Sequence, residues 1–310
     1  MQFKRTKRNI SGVLLLDKPL GFSSNQALQK VKWLYQAAKA GHTGTLDPLA
    51  TGLLPICLGE ATKFAQYVTD ADKTYFATIQ LGATTTTGDA EGEVLTNAPV
   101  NVSQSQFQAA SQLFIGEISQ IPPMYSALKH EGKALYEYAR EGVDIARQPR
   151  LIRIQNIAVD KFEVDVAQIT VICSKGTYIR TLAEDIGAKL GCGAHLIGLR
   201  RTETAGYLLP QAVTIEQLEA MAIEAREALL LPVDSAIESL PKVVLNADCA
   251  FYMMQGQAVW QSGKTPAGDL RLYDENNKFL GLGFLQDDGK IAPKRLLRNT
   301  NGSEKLILLN

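Results

Sequence analysis

The sequence predicts a mixed fold of helices and strands that ends in a small all-β unit. Three patterns lead to this expectation. Residues 74–81 alternate strictly, which puts Tyr75, Ala77, Ile79 and Leu81 on one face of a strand. Residues 25–39 and 177–190 repeat apolar side chains at helical spacing: Leu28, Val31, Trp33 and Leu34 in the first, Ile179, Leu182, Ile186 and Leu190 in the second. From Leu240 the texture changes to short strand-like pieces, Ala258-Val259-Trp260, Leu270-Arg271-Leu272-Tyr273 and Phe279-Leu280-Gly281-Leu282-Gly283-Phe284, separated by turns at Glu275-Asn276-Asn277 and Asp287-Asp288-Gly289. At 310 residues the chain has room for one large domain or two.

In chain order, residues 12–16 read as a buried strand, and Asp17 to Ser24 as a turn in which Ser23 or Ser24 caps the first helix. Lys18 lies in that turn, as a plain turn lysine or as a phosphate contact. Residues 60–67 suggest a short helix. In the 74–81 strand Tyr75 points to the core or to the lip of a cleft, and periodicity does not separate the two. Residues 82–94 form a polar connector with two glycine turn signals, and residues 104–114 a helix that turns Phe107, Ala110 and Phe114 inward. Ile121-Pro122-Pro123-Met124-Tyr125-Ser126-Ala127-Leu128-Lys129 is extended and stiff, because two prolines bar a regular helix. A helix over 133–141 follows, stopped by Gly142. Residues 150–164 and 168–173 pair as strands, and the 177–190 helix begins with Tyr178 and Arg180 flanking Ile179 and ends at Gly191. Residues 194–204 are a further strand. Thr214 and Gln217 make a capping box, with Val213 and Leu218 as its staple, for a helix to about residue 229.

The 45% hydrophobic and 21% charged content is that of an ordinary soluble globular protein. No apolar run approaches the roughly 20 residues of a membrane span, and Val13-Leu14-Leu15-Leu16 is too short for the core of a secretion signal. A cytoplasmic location is expected. The four cysteines, Cys57, Cys173, Cys192 and Cys249, form no C-x-x-C pair and read as reduced thiols. With only His42, His130 and His195 present, a His-rich metal site or a Ser-His-Asp triad is not expected, and His195 reads as structural. The zero net charge argues against a non-specific nucleic-acid binder, but a segregated basic face remains compatible with it. Basic residues gather at Lys4, Arg5, Lys7 and Arg8, and again between Lys129 and Arg153, where Arg140, Arg147, Arg150 and Arg153 suit phosphate recognition.

The stretch Gly41-His42-Thr43-Gly44-Thr45-Leu46-Asp47-Pro48-Leu49-Ala50-Thr51-Gly52 is too rich in Gly and Thr for a helix interior, and Pro48 bars a central strand. It is expected to be an ordered loop that holds one carboxylate, Asp47, on a stiffened backbone. On its residues alone it reads as a well-made turn. This loop and the run after it, Leu53-Leu54-Pro55-Ile56-Cys57-Leu58-Gly59-Glu60-Ala61-Thr62-Lys63, resemble the signature of the TruB family, the tRNA pseudouridine-55 synthases. The resemblance continues in family order through Leu16-Asp17-Lys18-Pro19 with Gly21 and Ser23-Ser24, Lys73-Thr74-Tyr75, Pro122-Pro123-Met124-Tyr125-Ser126-Ala127, Gly176-Thr177-Tyr178-Ile179-Arg180 and Leu199-Arg200-Arg201. More loosely, the last part of the chain resembles the PUA-like RNA-binding domain of bacterial members.

The resemblance implies an α+β fold, the pseudouridine synthase fold, with a mixed, mainly antiparallel central sheet, flanking helices and a cleft. It implies a catalytic domain over 1–240 with a basic flap at about 124–153, and a C-terminal β domain, PUA-like, over 241–310. The implied activity is isomerisation of one uridine in the T loop of tRNA to pseudouridine, with no cofactor and no metal. The implied partner is the T-arm stem-loop of tRNA, bound by a monomer with no obligate protein partner and no membrane. Asp47 resembles the catalytic aspartate, Arg180 the arginine that pairs with it, and Tyr75 the tyrosine that stacks on the target base and serves in proton transfer. Tyr178 and Leu199 resemble further pocket-lining residues, and His42 the histidine that fills the space left by the flipped base. Lys18, Lys63 and Lys129 are implied phosphate contacts. Whether Asp47 attacks C1′, attacks C6 or deprotonates the sugar is left open. A looped-in uridine must leave its stack to be reached, and an aromatic face returns roughly 1–3 kcal/mol of that stacking.

Two other classes fit parts of the sequence. An RNA-folding protein without catalysis needs no Asp47, Tyr75 and Arg180 set, although folding help and catalysis are compatible. An aspartate-nucleophile glycoside hydrolase needs a second carboxylate beside Asp47, and none stands in the matching blocks.

Overall fold

The computed structural model describes residues 7–263 and 265–298. Lys4 and Arg5 of the N-terminal basic group and residues 299–310 of the expected C-terminal domain lie outside them.

A nine-stranded sheet organises the described residues. Its main path runs Gly12–Lys18, Ala50–Leu58, Ala194–Thr204, Lys73–Leu81, Val166–Cys173, Arg150–Glu163, Gly116–Gln120. Ala50–Leu58 and Ala194–Thr204 run parallel through Leu199↔Ala50 to Arg201↔Gly52, while the other neighbours on this path are antiparallel. The sheet is therefore mixed and mainly antiparallel, as expected. Helices flank it and the whole is α+β.

Both faces of the sheet are covered, which explains the unbroken apolar run at its edge. Leu14 and Leu16 face one core with Leu28, Val31 and Leu34 of the Ser24–Leu34 helix. Val13 and Leu15 face a second core with Phe64, Ala236 and Ile237. The Lys73–Leu81 strand alternates buried and half-buried along its length, as its period predicts. The Ile179–Leu190 helix packs against the first core through Ile179, Leu182, Ala183 and Ile186, and ends at Gly191 in the left-handed region (φ 77°).

Four helices differ from their expected spans: the one expected over 60–67 is a 3-10 turn at Gly59–Lys63 followed by a separate helix, Ala65–Asp70. The first helix stops at Leu34, because Gln36 turns left-handed (φ 52°) and Ala38 then bonds to Arg8. Trp33, inside this helix, stands 55% exposed, because at about 100° per residue it points away from the Ala27, Leu28, Val31 and Leu34 stripe. The Thr214 helix carries its capping box but breaks at Met221, whose backbone is extended, into Ile215–Ala220 and Ile223–Glu227. The flap helix is only Leu135–Arg140, since Lys129–His130 and Lys133–Ala134 pair as a small hairpin before it.

The C-terminal unit is a four-stranded sheet, Lys242–Val244, Asp269–Tyr273, Phe279–Leu285 and Ile291–Leu296, around Leu245, Met253, Leu270, Leu272 and Ile291. It is not all-β: the helix Ala247–Met254, capped by Asn246, packs on the same core. The expected strand at Ala258-Val259-Trp260 is a single bridge, Val259 to Ile291. Phe279 of this unit packs on Phe64 of the main body, ring centroids 5.6 Å apart.

Candidate active site

The parallel junction at the centre of the sheet builds the site. There Leu199 and Arg201 lie opposite Ala50 and Gly52 on one side and Ala77 and Tyr75 on the other. The Asp47 loop enters this junction just before the Ala50–Leu58 strand. Ser24 holds the loop in place: its hydroxyl accepts from the Leu46 amide (2.7 Å) and donates to the Leu46 carbonyl (3.0 Å). The Gly21 amide donates to the Pro48 carbonyl at 2.9 Å, and the Ala50 amide closes a turn on the Asp47 carbonyl at 3.0 Å. With its backbone fixed on both sides, the Asp47 side chain stays 39% exposed at the cleft floor.

Arg180 lies behind Asp47, almost wholly buried. Its Nη2 pairs with Asp47 Oδ2 at 2.9 Å and also donates to the Tyr125 carbonyl. Its Nη1 donates to the Thr87 carbonyl at 2.9 Å, and its Nε faces Asp89 Oδ2 at 3.5 Å. Asp89 is buried and fully engaged, accepting also from the Thr87 hydroxyl (2.6 Å) and the Glu91 amide (3.1 Å). Burial pushes the Asp47 carboxyl above the ordinary carboxylate range; Arg180 opposes the shift and the like charge of Asp89 adds to it.

Tyr75 is 8% exposed and belongs to the core, yet it also lines the cleft. Burial pushes its phenol up, against the hydrogen-bonded Arg201 guanidinium. Arg201 is itself fully buried, and its Nε donates to the Leu53 carbonyl at 2.7 Å and its Nη2 to the Gly44 carbonyl at 3.3 Å. It thus ties Tyr75 to the Asp47 loop.

Two cavities open on either side of Asp47 and Arg180. One of ≈ 520 Å³ holds Asp47, Tyr75, Tyr178, Arg180 and Leu199 together. The other, ≈ 500 Å³, is lined by His42, Asp89, Glu91, Tyr136 and Arg140. Ser126 and Ala127 line both, so the Tyr125-Ser126-Ala127 segment straps the cleft between them. His42 is half-buried; burial pushes its imidazole down, so it is neutral near pH 7.

None of the three lysines lines either cavity, although Lys18 stands near enough to Asp47 for their charges to act on each other. Lys18 is wholly buried and donates to the Pro19 and Phe22 carbonyls, a turn lysine and not a surface phosphate contact. Burial lowers its pKa to about 8, with Asp47 and Glu91 opposing. Lys63 is turned to the C-terminal unit, pairing with Glu60 and donating to the Leu296 carbonyl at 2.8 Å. Lys129 is exposed on the flap hairpin, one residue after Leu128 on the rim of the ≈ 520 Å³ cavity, but does not itself line either cavity. His195 is buried with Nδ1 3.0 Å from the Ala83 carbonyl, as a structural histidine. Among the described residues no cluster of His, Cys, Asp and Glu has the arrangement of a metal site.

Sequence reasoning missed Asp89, Arg201 as the tie to Tyr75, and Ser24 as the clamp on the loop. Asp89 lay in what read as a polar connector. Its only signal was a carboxylate between two glycines, and glycines at such spacing mark a tightly turned segment. Asp47 is the one carboxylate lining the ≈ 520 Å³ cavity, held and charged by a guanidinium beside an aromatic ring, while the exposed Glu91 lines the other cavity. Asp89 is no second acid for glycoside hydrolysis, because its oxygens are committed to Arg180, Thr87 and Glu91.

Comparison with known proteins gives consistent matches along the chain. Residues 32–179 match the family described as TruB family pseudouridylate synthase (N terminal domain). Residues 180–238 match the tRNA pseudouridylate synthase B C-terminal domain, and residues 241–297 the family described as Pseudouridine synthase II TruB, C-terminal. The chain is 65% identical over 298 residues to the tRNA pseudouridine synthase B of Methylobacillus flagellatus, covering 96% of this chain and 99% of that one. It is 53% identical over 302 residues to the tRNA pseudouridine synthase B of Pseudomonas fluorescens (strain Pf0-1), covering 96% and 99%. Among solved structures it is similar to a Cbf5-Nop10-Gar1 complex, at TM-score 0.69 and 26% identity over 93% of this chain and 84% of that one. An H/ACA RNP bound to a substrate RNA containing 2'-deoxyuridine shares the fold at TM-score 0.69 and 22% identity, covering 95% and 92%.

Proposed function

This chain belongs to the TruB family of pseudouridylate synthases, and from that premise we propose that it isomerises one uridine of the tRNA T loop, at position 55, with Asp47 as the nucleophile. It is a tRNA pseudouridine synthase; the target position and the residue roles are our reading. The observation that carries this reading is the pairing of the cleft-floor Asp47 with the buried Arg180, in the cavity that also holds Tyr75.

Arg180 keeps Asp47 ionised and aimed, offsetting the burial that favours the neutral acid. The target uridine leaves its stack and enters the ≈ 520 Å³ cavity, where Tyr75, Tyr178 and Leu199 receive it. Asp47 forms a bond to the nucleotide, the N1–C1′ bond breaks, and the base turns. C5 bonds to C1′ and loses its hydrogen, N1 gains one, and Asp47 is released. Tyr75 serves the proton transfer at C5. His42, neutral and beside Asp47, fills the place of the flipped base. Lys129 on the exposed flap meets phosphate. Residues 1–240 act as the catalytic domain and 241–310 as a PUA-like RNA-binding domain. We read the working unit as a cytoplasmic monomer that needs no protein partner and no cofactor, and that also assists tRNA folding. Holding one T arm open while its base is out is itself such assistance.

The test is to treat an unmodified tRNA transcript with the protein and map its pseudouridines. The reading predicts one, at position 55, absent from a transcript carrying cytidine there. Pseudouridine at other positions instead would overturn the T-loop assignment.

A further inference from the structure

Between the flap and the catalytic helix one buried amide has unusual partners. Gln120 ends the Gly116–Gln120 strand and is 2% exposed. Its side chain does not join the core. Its Oε1 accepts from the Tyr178 amide at 2.8 Å and its Nε2 donates to the Tyr178 carbonyl at 3.1 Å. Both ends of one residue's backbone are thus held by one side chain, as a neighbouring strand would hold them. Tyr178 caps the Ile179–Leu190 helix with no side-chain cap of its own, and its carbonyl also accepts the first helical bond, from the Leu182 amide at 3.1 Å. Arg180 is two residues further on. Five residues beyond Gln120, the Tyr125 carbonyl accepts from Arg180. The stiff Gln120–Tyr125 run is therefore fastened to the catalytic helix at both ends.

We propose that Gln120 is a positioning residue for the isomerisation: its amide fixes the Tyr178 backbone, and through it sets where Tyr178 and Arg180 stand against Asp47. The proposal rests on the roles given above to Asp47, Arg180 and Tyr178. Glutamine suits the task because it places a donor and an acceptor side by side on a reach that asparagine lacks. Methionine has the same length and neither group. Glutamate keeps the acceptor, but its carboxylate faces the Tyr178 carbonyl with a second acceptor. Protonation would restore a donor there, and the burial and the facing carbonyl favour that proton.

The experiment measures single-turnover pseudouridine formation and RNA affinity on a T-arm stem-loop for wild type, Gln120→Met and Gln120→Glu. A misplacement of about 1 Å costs up to ~10²-fold in rate, so Gln120→Met is expected to lose roughly tenfold or more in rate with RNA affinity unchanged. The rate of Gln120→Glu divided by that of wild type, which cancels the titration of Asp47, is expected to rise as pH falls. A folded Gln120→Met protein with the wild-type rate overturns the proposal, as does a Gln120→Glu protein that stays at the Gln120→Met rate at every pH. An inactive wild type would instead remove the isomerase reading on which the proposal rests.

Discussion

Arg180 divides its donors among four oxygens: the Asp47 carboxylate, the Asp89 carboxylate and the carbonyls of Thr87 and Tyr125. Asp47 alone of the four faces the larger cleft, so the other three fix the guanidinium and Asp47 is what it acts on. Two consequences follow at this scale. As the proposed nucleophile Asp47 must be ionised, and burial raises its pKa, so activity should fall on acidification at a pH above the ordinary carboxylate range of about 3.9. Asp89→Asn removes a like charge that contributes to the rise, so the acid limb of the rate profile should move to lower pH. The same change loosens Arg180, and the plateau rate should drop roughly tenfold or more. A pH–rate profile of both proteins checks the two effects together; an unchanged limb with an unchanged plateau in Asp89→Asn contradicts the role assigned to Asp89.

At the scale of elements, the junction of the Ala50–Leu58 and Ala194–Thr204 strands is the tightest part of the site. A Cβ on Gly52 (φ 97°) would lie 2.4 Å from the Arg201 carbonyl oxygen, so Gly52→Ala meets both backbone and strain. It should destabilise by roughly 1–3 kcal/mol. Gly198, in the neighbouring pairing of the Ala194–Thr204 strand with Lys73–Leu81, meets only Thr78 at 3.5 Å, and Gly198→Ala should be close to neutral. Denaturant midpoints of the two variants distinguish them. The contrast also shows what a sequence reveals. The 74–81 strand was legible because one face is buried and period two records it, so Tyr75 was placed on the correct face. The Thr214 and Ser23 caps were legible because capping is local. Trp33 was misplaced on the inner face, although at about 100° per residue its position sits opposite the Ala27, Leu28, Val31 and Leu34 stripe; the helix end itself was missed because the left-handed Gln36 leaves no glycine signal. Asp89 and Gln120 were not, because their partners, Arg180 and Tyr178, come from distant strand and helix ends that only the sheet order brings together. Lys63 and Lys18 look like surface cations in any local window, and the burial that engages them is tertiary.

Across the whole molecule, the C-terminal unit is docked through a small polar and aromatic seam. Tyr67 donates to Asp269 at 2.6 Å, Lys63 reaches the Leu296 carbonyl and Phe64 packs on Phe279. Burial would push the Asp269 carboxyl up, but hydrogen bonds from Lys294 and Tyr67 hold it below its ordinary range. Its contribution to docking is therefore complete above pH about 4 and is lost as pH falls through the lower folded value. Tyr67→Phe should weaken the seam by about 1–2 kcal/mol, seen as easier proteolysis between the two units, while the rate on a short stem-loop is unchanged. Equal proteolysis of both proteins would contradict it. The seam fixes the C-terminal unit on the main body, but the chemistry is assigned to Asp47, and that assignment is tested most directly by tritium release. The substrate is a T-arm stem-loop labelled at C5 of uridine, because the new C5–C1′ bond must expel that hydrogen. Wild type should release one tritium per stem-loop from the single target uridine, and Asp47→Asn should bind the same RNA and release none. Release by Asp47→Asn at the wild-type rate, or none by a folded, RNA-binding wild type, would contradict the account.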